Sequence, residues 1–388
     1  MKLRMDQPSS KHSLLAVIGL FLKLGAITFG GPAAGAALME QEVVGKRKWL
    51  SHEQFLDLLA ATNLVPGANV VEMAVHIGYL RAGWPGLIAG GVAFILPAFL
   101  ISLALSVVYV RLGALPQGAA LFYGINPAVI AIILVATYRL GRTALKDKRA
   151  AGLAVASLAA ALLGLNEVVV LLAAGLAGIL LYAPPRWPWP ALLLLNPGLF
   201  VPALSDWATG FDDRLVRLAW FFLKVGSLLF GSGMVLFAFI HRDVVAGYGW
   251  LTEQQLLDAI AVGQMTPGPV LSAATFIGYL VAGWSGAVVA TIAIFLPSFV
   301  ITAFIGPWLP RLRRSPVARA FLRGVNAAVV ALILAVSLAL FRSAIVDGWT
   351  ALLLLVGLVA LLRLKIDTLW LVAGGAGAGL VHYLVMGG

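Results

Sequence analysis

The sequence predicts an all-α polytopic membrane protein made of two homologous halves, an inverted repeat with about ten crossings and two re-entrant Pro-Gly hairpins. Of the 388 residues, 61% are hydrophobic and 11% are charged, and the mean hydropathy is +1.00. A soluble domain carries about a quarter charged residues. Long apolar runs recur from end to end. A Pro-Gly break inside such a run occurs twice, in residues 63–86 and 264–286, each time followed by Ile-Gly-Tyr-Leu and Ala-Gly-Trp.

Composition also excludes several classes of function. The apolar runs are too continuous for the alternating strands of an outer-membrane barrel. The net charge of +11 fits Lys and Arg at the cytoplasmic ends of helices, so we expect no nucleic-acid partner. The chain has no cysteine, which excludes disulfides, thiolate metal sites and cysteine nucleophiles. We expect an all-helical inner-membrane protein with no metal site and no catalytic residue.

The first helical region, residues 13–44, contains the breaker Phe29-Gly30-Gly31-Pro32, which predicts an unwound centre. The next helix opens on a capping box, Ser51 with Gln54, and the second half repeats it as Thr252 with Gln255. Both helices should therefore start at a membrane interface.

The Pro66-Gly67 break lies roughly fifteen residues after that cap, or about 22 Å of helix. Residues 67–80 form a second limb of the same length. Each limb is shorter than the hydrocarbon core of about 30 Å. We therefore predict a re-entrant hairpin whose tip, residues 63–69, lies near the midplane, and a second such hairpin around Pro267-Gly268.

Four further spans follow in the first half, at 84–110, 117–140, 150–165 and 168–182, giving about five crossings per half. The predicted boundaries are 1–183 for the first repeat, 184–213 for an interfacial linker and 214–388 for the second repeat. Equivalent residues include Lys23/Lys224, Asp57/Asp258, Tyr79/Tyr279, Pro97/Pro297 and Asn126/Asn326.

Loop charge predicts that the two halves are inverted. In the first half Lys and Arg collect at 46–48 and 139–149, and the loop after the first long span holds only Arg111. In the second half that same loop is the basic one, with arginines in 311–323. Equivalent loops should therefore face opposite sides of the membrane.

Four helix breaks at repeat-equivalent positions predict an anion site. Limbs that begin at Gly67 and Gly268 should direct unpaired N–H groups and positive dipole ends towards the membrane centre. Lys23 and Lys224 are intramembrane cations that could neutralise a dianion, or could extend to an interface. The candidate substrate-binding residues are Lys23, Phe29, Gly30, Gly31, Asn63, Pro66, Gly67, Asn69, Lys224, Gly231, Ser232, Gln264, Thr266, Pro267, Gly268 and Ser272.

Glu72 and His76 lie on one face of the second limb, together with Asn69. The second half has Ser272 and Phe276 instead, so the titratable pair exists once. The two side chains are candidates for proton coupling. The alternative is a Glu–His pair that satisfies itself on the helix.

These motifs together resemble the chromate transporter family. The stretches that carry the resemblance are 21–32, 49–57, Val65-Pro66-Gly67, 77–86, Pro97 and Gly124-Ile125-Asn126-Pro127, with a degenerate copy in the second half. The resemblance covers nearly the whole chain and implies the long, two-half form. It departs from a symmetric repeat where Ser232-Gly233 replaces Gly31-Pro32 and where Pro269 follows Gly268, so the halves should contribute unequally.

The resemblance implies proton-motive export of chromate from the bacterial cytoplasm, with chromate resistance and with sulfate as a structural mimic. It also implies a multi-pass location in the bacterial cytoplasmic (inner) membrane and no cofactor. Protons, lipid and either oxyanion are then the expected partners, and a homodimer is left open. Two alternatives remain: a sulfate or other oxyanion transporter, and an anion channel. A membrane-embedded enzyme is a remote one, because no His-Glu-x-x-His or Gly-x-Ser-x-Gly motif is present.

Overall fold

The computed structural model describes residues 10–29, 31–63, 65–112, 116–183, 213–230, 233–305 and 315–386. Within these ranges every regular element is helical. The described part of the first half contains seven α-helices, and α2 continues as a π-helix over Gln41–Lys46. They are α1 (Ser10–Ile27), α2 (Gly31–Glu40), α3 (His52–Thr62), α4 (Asn69–Leu112), α5 (Pro116–Ala144), α6 (Lys148–Leu162) and α7 (Glu167–Tyr182).

The described part of the second half repeats this order helix for helix. Its helices are α8 (Arg214–Leu228), α9 (Leu236–Phe239), α10 (Glu253–Met265), α11 (Ala273–Ile305), α12 (Pro316–Ala344), α13 (Gly348–Val359) and α14 (Thr368–Met386). Short 3₁₀ turns precede α9 and α11, at Gly233–Val235 and Val270–Ser272. π-Helical segments follow α9 and α13, at Ile240–Gly247 and Ala360–Leu364.

The predicted helix starts and breaks are present. In the capping box of α3, Oγ of Ser51 accepts from the Gln54 N–H at 3.1 Å, and the Ser51 N–H donates to Gln54 Oε1 at 2.9 Å. Thr252 and Gln255 repeat both bonds on α10. The chain leaves helical geometry between α1 and α2 and between α3 and α4, as the Gly and Pro residues in these segments predict.

A sharp kink interrupts the long helix that follows each Pro-Gly break. Gly83 in α4 has φ +62° and Gly283 in α11 has φ +61°, each preceded by a non-helical alanine. Positive φ of this size is accessible to glycine at little cost. A kink therefore separates residues 69–81 from the rest of α4.

The halves pack reciprocally around one continuous hydrophobic core. The final helix of each half, α7 or α14, lies against the fifth-position helix of the other half, α12 or α5. Gly124 of α5 meets Gly375 and Gly379 of α14, and Gly324 of α12 meets Gly175 and Gly178 of α7. Equivalent helices thus make equivalent contacts across a pseudo-two-fold relation.

Five of the described helical stretches are long and apolar enough to cross a membrane. They are Asn69–Arg111, Gly118–Ala144, Val270–Phe304, Pro316–Ala344 and Thr368–Val385. Ser13–Ile27, Glu167–Tyr182 and Gly348–Leu364 are shorter apolar helices. An exposed apolar stripe at every fourth residue of α4 is repeated on α11, which is the pattern of a lipid-facing surface. It consists of Ile88, Val92, Leu96 and Leu100, and of Val288, Ile292, Leu296 and Val300.

Some predictions concern residues outside the described ranges. They include the site residues Gly30, Gly231 and Ser232, most of the linker 184–213 and the basic residues at 311–314.

The close helix contacts give a first prediction. A Cβ at Gly324 would overlap the carbonyl oxygen of Ala174, so Gly324→Ala should force α12 and α7 apart. We expect a loss of about 1 to 3 kcal/mol, seen as a lower thermal midpoint of the purified protein. Gly141→Ala is the control, because its new Cβ would meet nothing closer than a Val330 methyl group at 3.7 Å. Equal midpoints for the two variants would contradict the packing.

Candidate functional site

The four helix breaks converge on one cavity of about 950 Å³, which we call the central cavity. The α1–α2 break contributes Thr28, Gly31 and Pro32, and its counterpart contributes Gly233 and Met234. The two hairpin tips contribute residues 67–70 and 268–271. The structure thus brings five predicted site residues to one cavity wall: Gly31, Gly67, Asn69, Gln264 and Gly268.

The N–H groups of the two tip glycines are not unpaired, and this corrects the sequence-based expectation. The Gly67 N–H donates to the Leu229 carbonyl at 2.7 Å, and the Gly268 N–H donates to the Thr28 carbonyl at 2.7 Å. Leu229 and Thr28 are repeat-equivalent, so each tip crosses to the break of the other half. The cavity-facing ends of helix dipoles are instead the first turns that follow, at Asn69 and Val70 and at Val270 and Leu271.

Glu72 lies directly behind the first tip. Its side chain is 1% exposed, and neither carboxylate oxygen has a hydrogen-bond partner within the described residues. A Cβ at Gly67 would overlap Oε1 of Glu72 and lie 2.6 Å from Oγ of Ser298. Burying an ionised carboxylate without a partner costs several kcal/mol, so its charge must be balanced by a proton or a bound cation.

The alternative for Glu72 and His76, a pair that satisfies itself on the helix, does not form, because the two side chains share no hydrogen bond within the described residues. His76 is half-buried and does not line the cavity. Ser272, the counterpart of Glu72, also has a buried oxygen without a described partner. Unsatisfied polar atoms therefore lie behind both tips, at equivalent positions.

The rim of the central cavity is basic, which reasoning about the site from sequence missed. Arg139 and Arg142 at the end of α5 line it together with Lys365, and Asp367 is the one acidic residue among the lining residues described. Arg139 donates to the Leu361 carbonyl at 3.2 Å. Lys365 has φ +54°, a conformation rare outside glycine. The position of Arg139 and Arg142 at a helix end could have indicated this rim, but it was interpreted only as a signal of membrane orientation.

Both candidate lysines are ion-paired instead of lining the cavity. Nζ of Lys23 lies 2.7 Å from Glu42, and Nζ of Lys224 lies 2.5 Å from Asp243. Glu42 also pairs with Lys46 at 2.9 Å. Hydrogen bonds from Lys23 and Lys46 lower the pKa of Glu42 to about 2, so this carboxylate stays ionised at neutral pH. Each pair ties the first helix of a half to the π-helical segment after its break.

The two ion pairs should differ in their importance for stability. Lys224 and Asp243 have side chains that are 12% and 19% exposed, whereas Lys23 is 50% exposed and Glu42 keeps Lys46. We expect Lys224→Met to cost roughly 1.5 to 3 kcal/mol and Lys23→Met less than about 1 kcal/mol. Thermal unfolding of the purified variants measures both.

The double variant Lys224→Met/Asp243→Asn is the control, since it removes both charges and should recover most of the lost stability. Normal thermal midpoints with transport lost in both single lysine variants would instead support lysine contacts with the substrate.

The remaining candidates lie close to the cavity without lining it. Asn63 Oδ1 accepts from Asn69 Nδ2 at 2.6 Å across the first tip. Thr266 is buried and bonds to the Val262 carbonyl at 2.7 Å. Phe29, Pro66 and Pro267 are absent from the lining.

The sequence of the chain matches known proteins over most of its length. The chain is 37% identical over 378 residues to the chromate transport protein of Cupriavidus metallidurans, covering 96% of this chain and 94% of the relative. It is 35% identical over 355 residues to the probable chromate transport protein of Synechococcus elongatus, covering 90% of each. A shorter match, 29% identity over 126 residues, covers 71% of an uncharacterized transporter of Bacillus subtilis. No solved structure matches the chain.

The sequence profile described as "Chromate transporter" matches the chain twice, over residues 15–179 and 216–380. The two matches confirm the internal repeat. They also agree with a multi-pass membrane protein whose relatives are named as transporters. The chain therefore belongs to the chromate transporter family.

Proposed function

We propose that this protein is a secondary active transporter that exports chromate from the bacterial cytoplasm across the inner membrane. The proton motive force drives export, and export confers chromate resistance. The observation that carries the proposal is the central cavity, where four helix breaks meet below a basic rim in a member of the chromate transporter family. Two relatives that cover most of the chain are named for chromate transport.

The oxyanion is held between the two hairpin tips. First-turn N–H groups at Val70 and Leu271, with the side chains of Asn69 and Gln264, supply donors suited to tetrahedral oxygens. Arg139, Arg142 and Lys365 raise the local anion concentration at the rim. Lys23 and Lys224 stay candidate ligands that would have to leave Glu42 and Asp243 to reach the substrate.

Glu72 is the proton-coupling group, with His76 as a second candidate. Its buried carboxylate lies beside the first tip, whose backbone pairs with the other half. A change in its charge therefore acts on the element that lines the oxyanion site.

The halves are inverted, with about ten crossings and two re-entrant hairpins. Loop charge supports this, and so does the length of α3, whose 11 residues extend for about 16 Å. In this orientation Arg139, Arg142 and Lys365 lie on the cytoplasmic side, so the central cavity opens to the cytoplasm.

Uptake of radiolabelled chromate into everted membrane vesicles tests the function. We expect uphill accumulation that collapses with an uncoupler and is reduced by excess sulfate. Arg139→Gln/Arg142→Gln should reduce uptake at low chromate concentration, whereas Lys146→Gln, an exposed charge on the following loop, should not.

Passive equilibration that is insensitive to the uncoupler would indicate an anion channel. Accumulation of sulfate with exclusion of chromate would indicate a sulfate transporter.

A further inference from the structure

A second cavity of about 420 Å³ lies beside the first hairpin tip, between the end of α7 and the start of α12. Its lining includes Asn63, Tyr182, Arg319, Arg323 and Asn326. We propose that Arg319 and Arg323 in this cavity form a second binding site for a divalent tetrahedral oxyanion. The volume accommodates such an anion together with its waters, each of which takes about 30 Å³.

The charge of this second cavity is not balanced by its own lining. The lining residues described include two arginines and no acid. The side chain of Arg319 is exposed and has no ion-pair or hydrogen-bond partner among the described residues. It lies in the second turn of α12, where a cation adds to the positive end of the helix dipole. The site thus places two positively charged guanidinium groups beside the positive end of a helix dipole.

The acid linked to this cavity through Tyr182 is Asp147, which already accepts other hydrogen bonds. The guanidinium of Arg323 lies 5.1 Å from the ring centroid of Tyr182. The Tyr182 hydroxyl donates to Asp147 at 2.5 Å, and Asp147 also accepts from the Ala150 N–H at 2.9 Å. Arg323 thus lies within cation–π distance of an aromatic ring, and its guanidinium makes no hydrogen bond within the described residues.

The fold does not require arginine at these positions. In the first half the equivalents of Arg319 and Arg323 are Ala119 and Tyr123, whereas Asn326 keeps its counterpart Asn126. One other role for the arginines is to orient the chain in the membrane by the positive-inside rule. Lysine satisfies that role equally, but it cannot reproduce the planar fork with which arginine binds an oxyanion.

The two cavities share the first hairpin tip. Asn63 lines the second cavity and Asn69 lines the central cavity, and their side chains are joined by the 2.6 Å hydrogen bond. An oxyanion at the arginine pair therefore adjoins the same tip as the transported oxyanion. This link to transport rests on the proposed function, whereas the binding site itself does not.

Equilibrium binding to the purified full-length protein tests the site, with radiolabelled chromate, sulfate and phosphate as probes. We expect two classes of oxyanion site in the wild type. Arg319→Gln/Arg323→Gln should weaken one class about a hundredfold and leave the other unchanged. Arg319→Lys/Arg323→Lys, which keeps the charge and so the membrane orientation, should weaken the same class severalfold. Lys146→Gln is the control.

Each outcome is decisive. Wild-type binding in both arginine double variants would overturn the proposal and leave the arginines with a topological role. A single class of site in the wild-type protein, unaffected by Arg319→Gln/Arg323→Gln, would overturn it as well, without touching chromate transport. If Arg319→Gln/Arg323→Gln loses phosphate binding together with the second class of site, the ligand of that site is a cytosolic oxyanion. If it loses chromate binding alone, the ligand is the transported substrate. Both results support the site. Two intact binding classes with no transport in vesicles would refute the proposed function only.

Discussion

Glu72→Gln is expected to abolish accumulation of chromate against its gradient while passive exchange continues. Glutamine keeps the shape of the side chain, which is 1% exposed and has no described hydrogen-bond partner, but it cannot take up or release a proton. Coupling between two ligands typically amounts to 5- to 150-fold in affinity, so we expect a loss of accumulation of roughly that size. Everted vesicles with an imposed pH gradient measure accumulation, and counterflow measures exchange.

Glu53→Gln is the matched control, because Glu53 is an exposed carboxylate at the start of α3. Ser272→Ala tests the equivalent position in the second half and should leave the pH dependence unchanged. A normal pH dependence in Glu72→Gln would falsify the coupling role.

Gly67→Ala is expected to abolish transport and to destabilise the protein by about 2 to 5 kcal/mol. Gly67 has φ +144°, and an added Cβ would overlap the Glu72 carboxylate and lie 2.6 Å from Oγ of Ser298. The substitution must therefore move the tip or the carboxylate, and the Gly67 N–H bond to Leu229 depends on the position of that tip. Thermal unfolding and vesicle transport measure the two effects.

Gly83→Ala separates backbone strain from overlap. Gly83 also has a positive φ, of +62°, but an added Cβ would meet no atom within 4 Å. Its cost should be about 1 to 2 kcal/mol from strain alone. Similar losses in both variants would show that the contact with Glu72 is unimportant.

Local signals explain what the sequence could predict. Ser51 with Gln54 and Thr252 with Gln255 cap helices through bonds within four residues, and Gly and Pro break helices wherever they occur in this pattern. These effects need no knowledge of the other half. The duplication then made convergence of the breaks a reasonable prediction.

The failures concern contacts between distant segments. Nothing near Gly67 indicates that its N–H is bonded to Leu229, and nothing near Lys23 indicates Glu42 as its partner. Arg139 and Lys365 reach the same cavity only because α14 packs on α5. Loop charge is a property of membrane orientation, so it hides arginines that also line a site.

The backbone bonds that join each tip to the helix break of the other half have a consequence for biogenesis. The first half leaves the ribosome with the Thr28 carbonyl and the Gly67 N–H both lacking their partners, which belong to Gly268 and Leu229. An unpaired backbone group in the hydrocarbon region costs several kcal/mol. The first half must therefore remain hydrated or shielded by the insertion machinery until the second half enters the membrane. The central cavity is also incomplete until then, because Gly233, Gln264 and residues 268–271 of its lining belong to the second half.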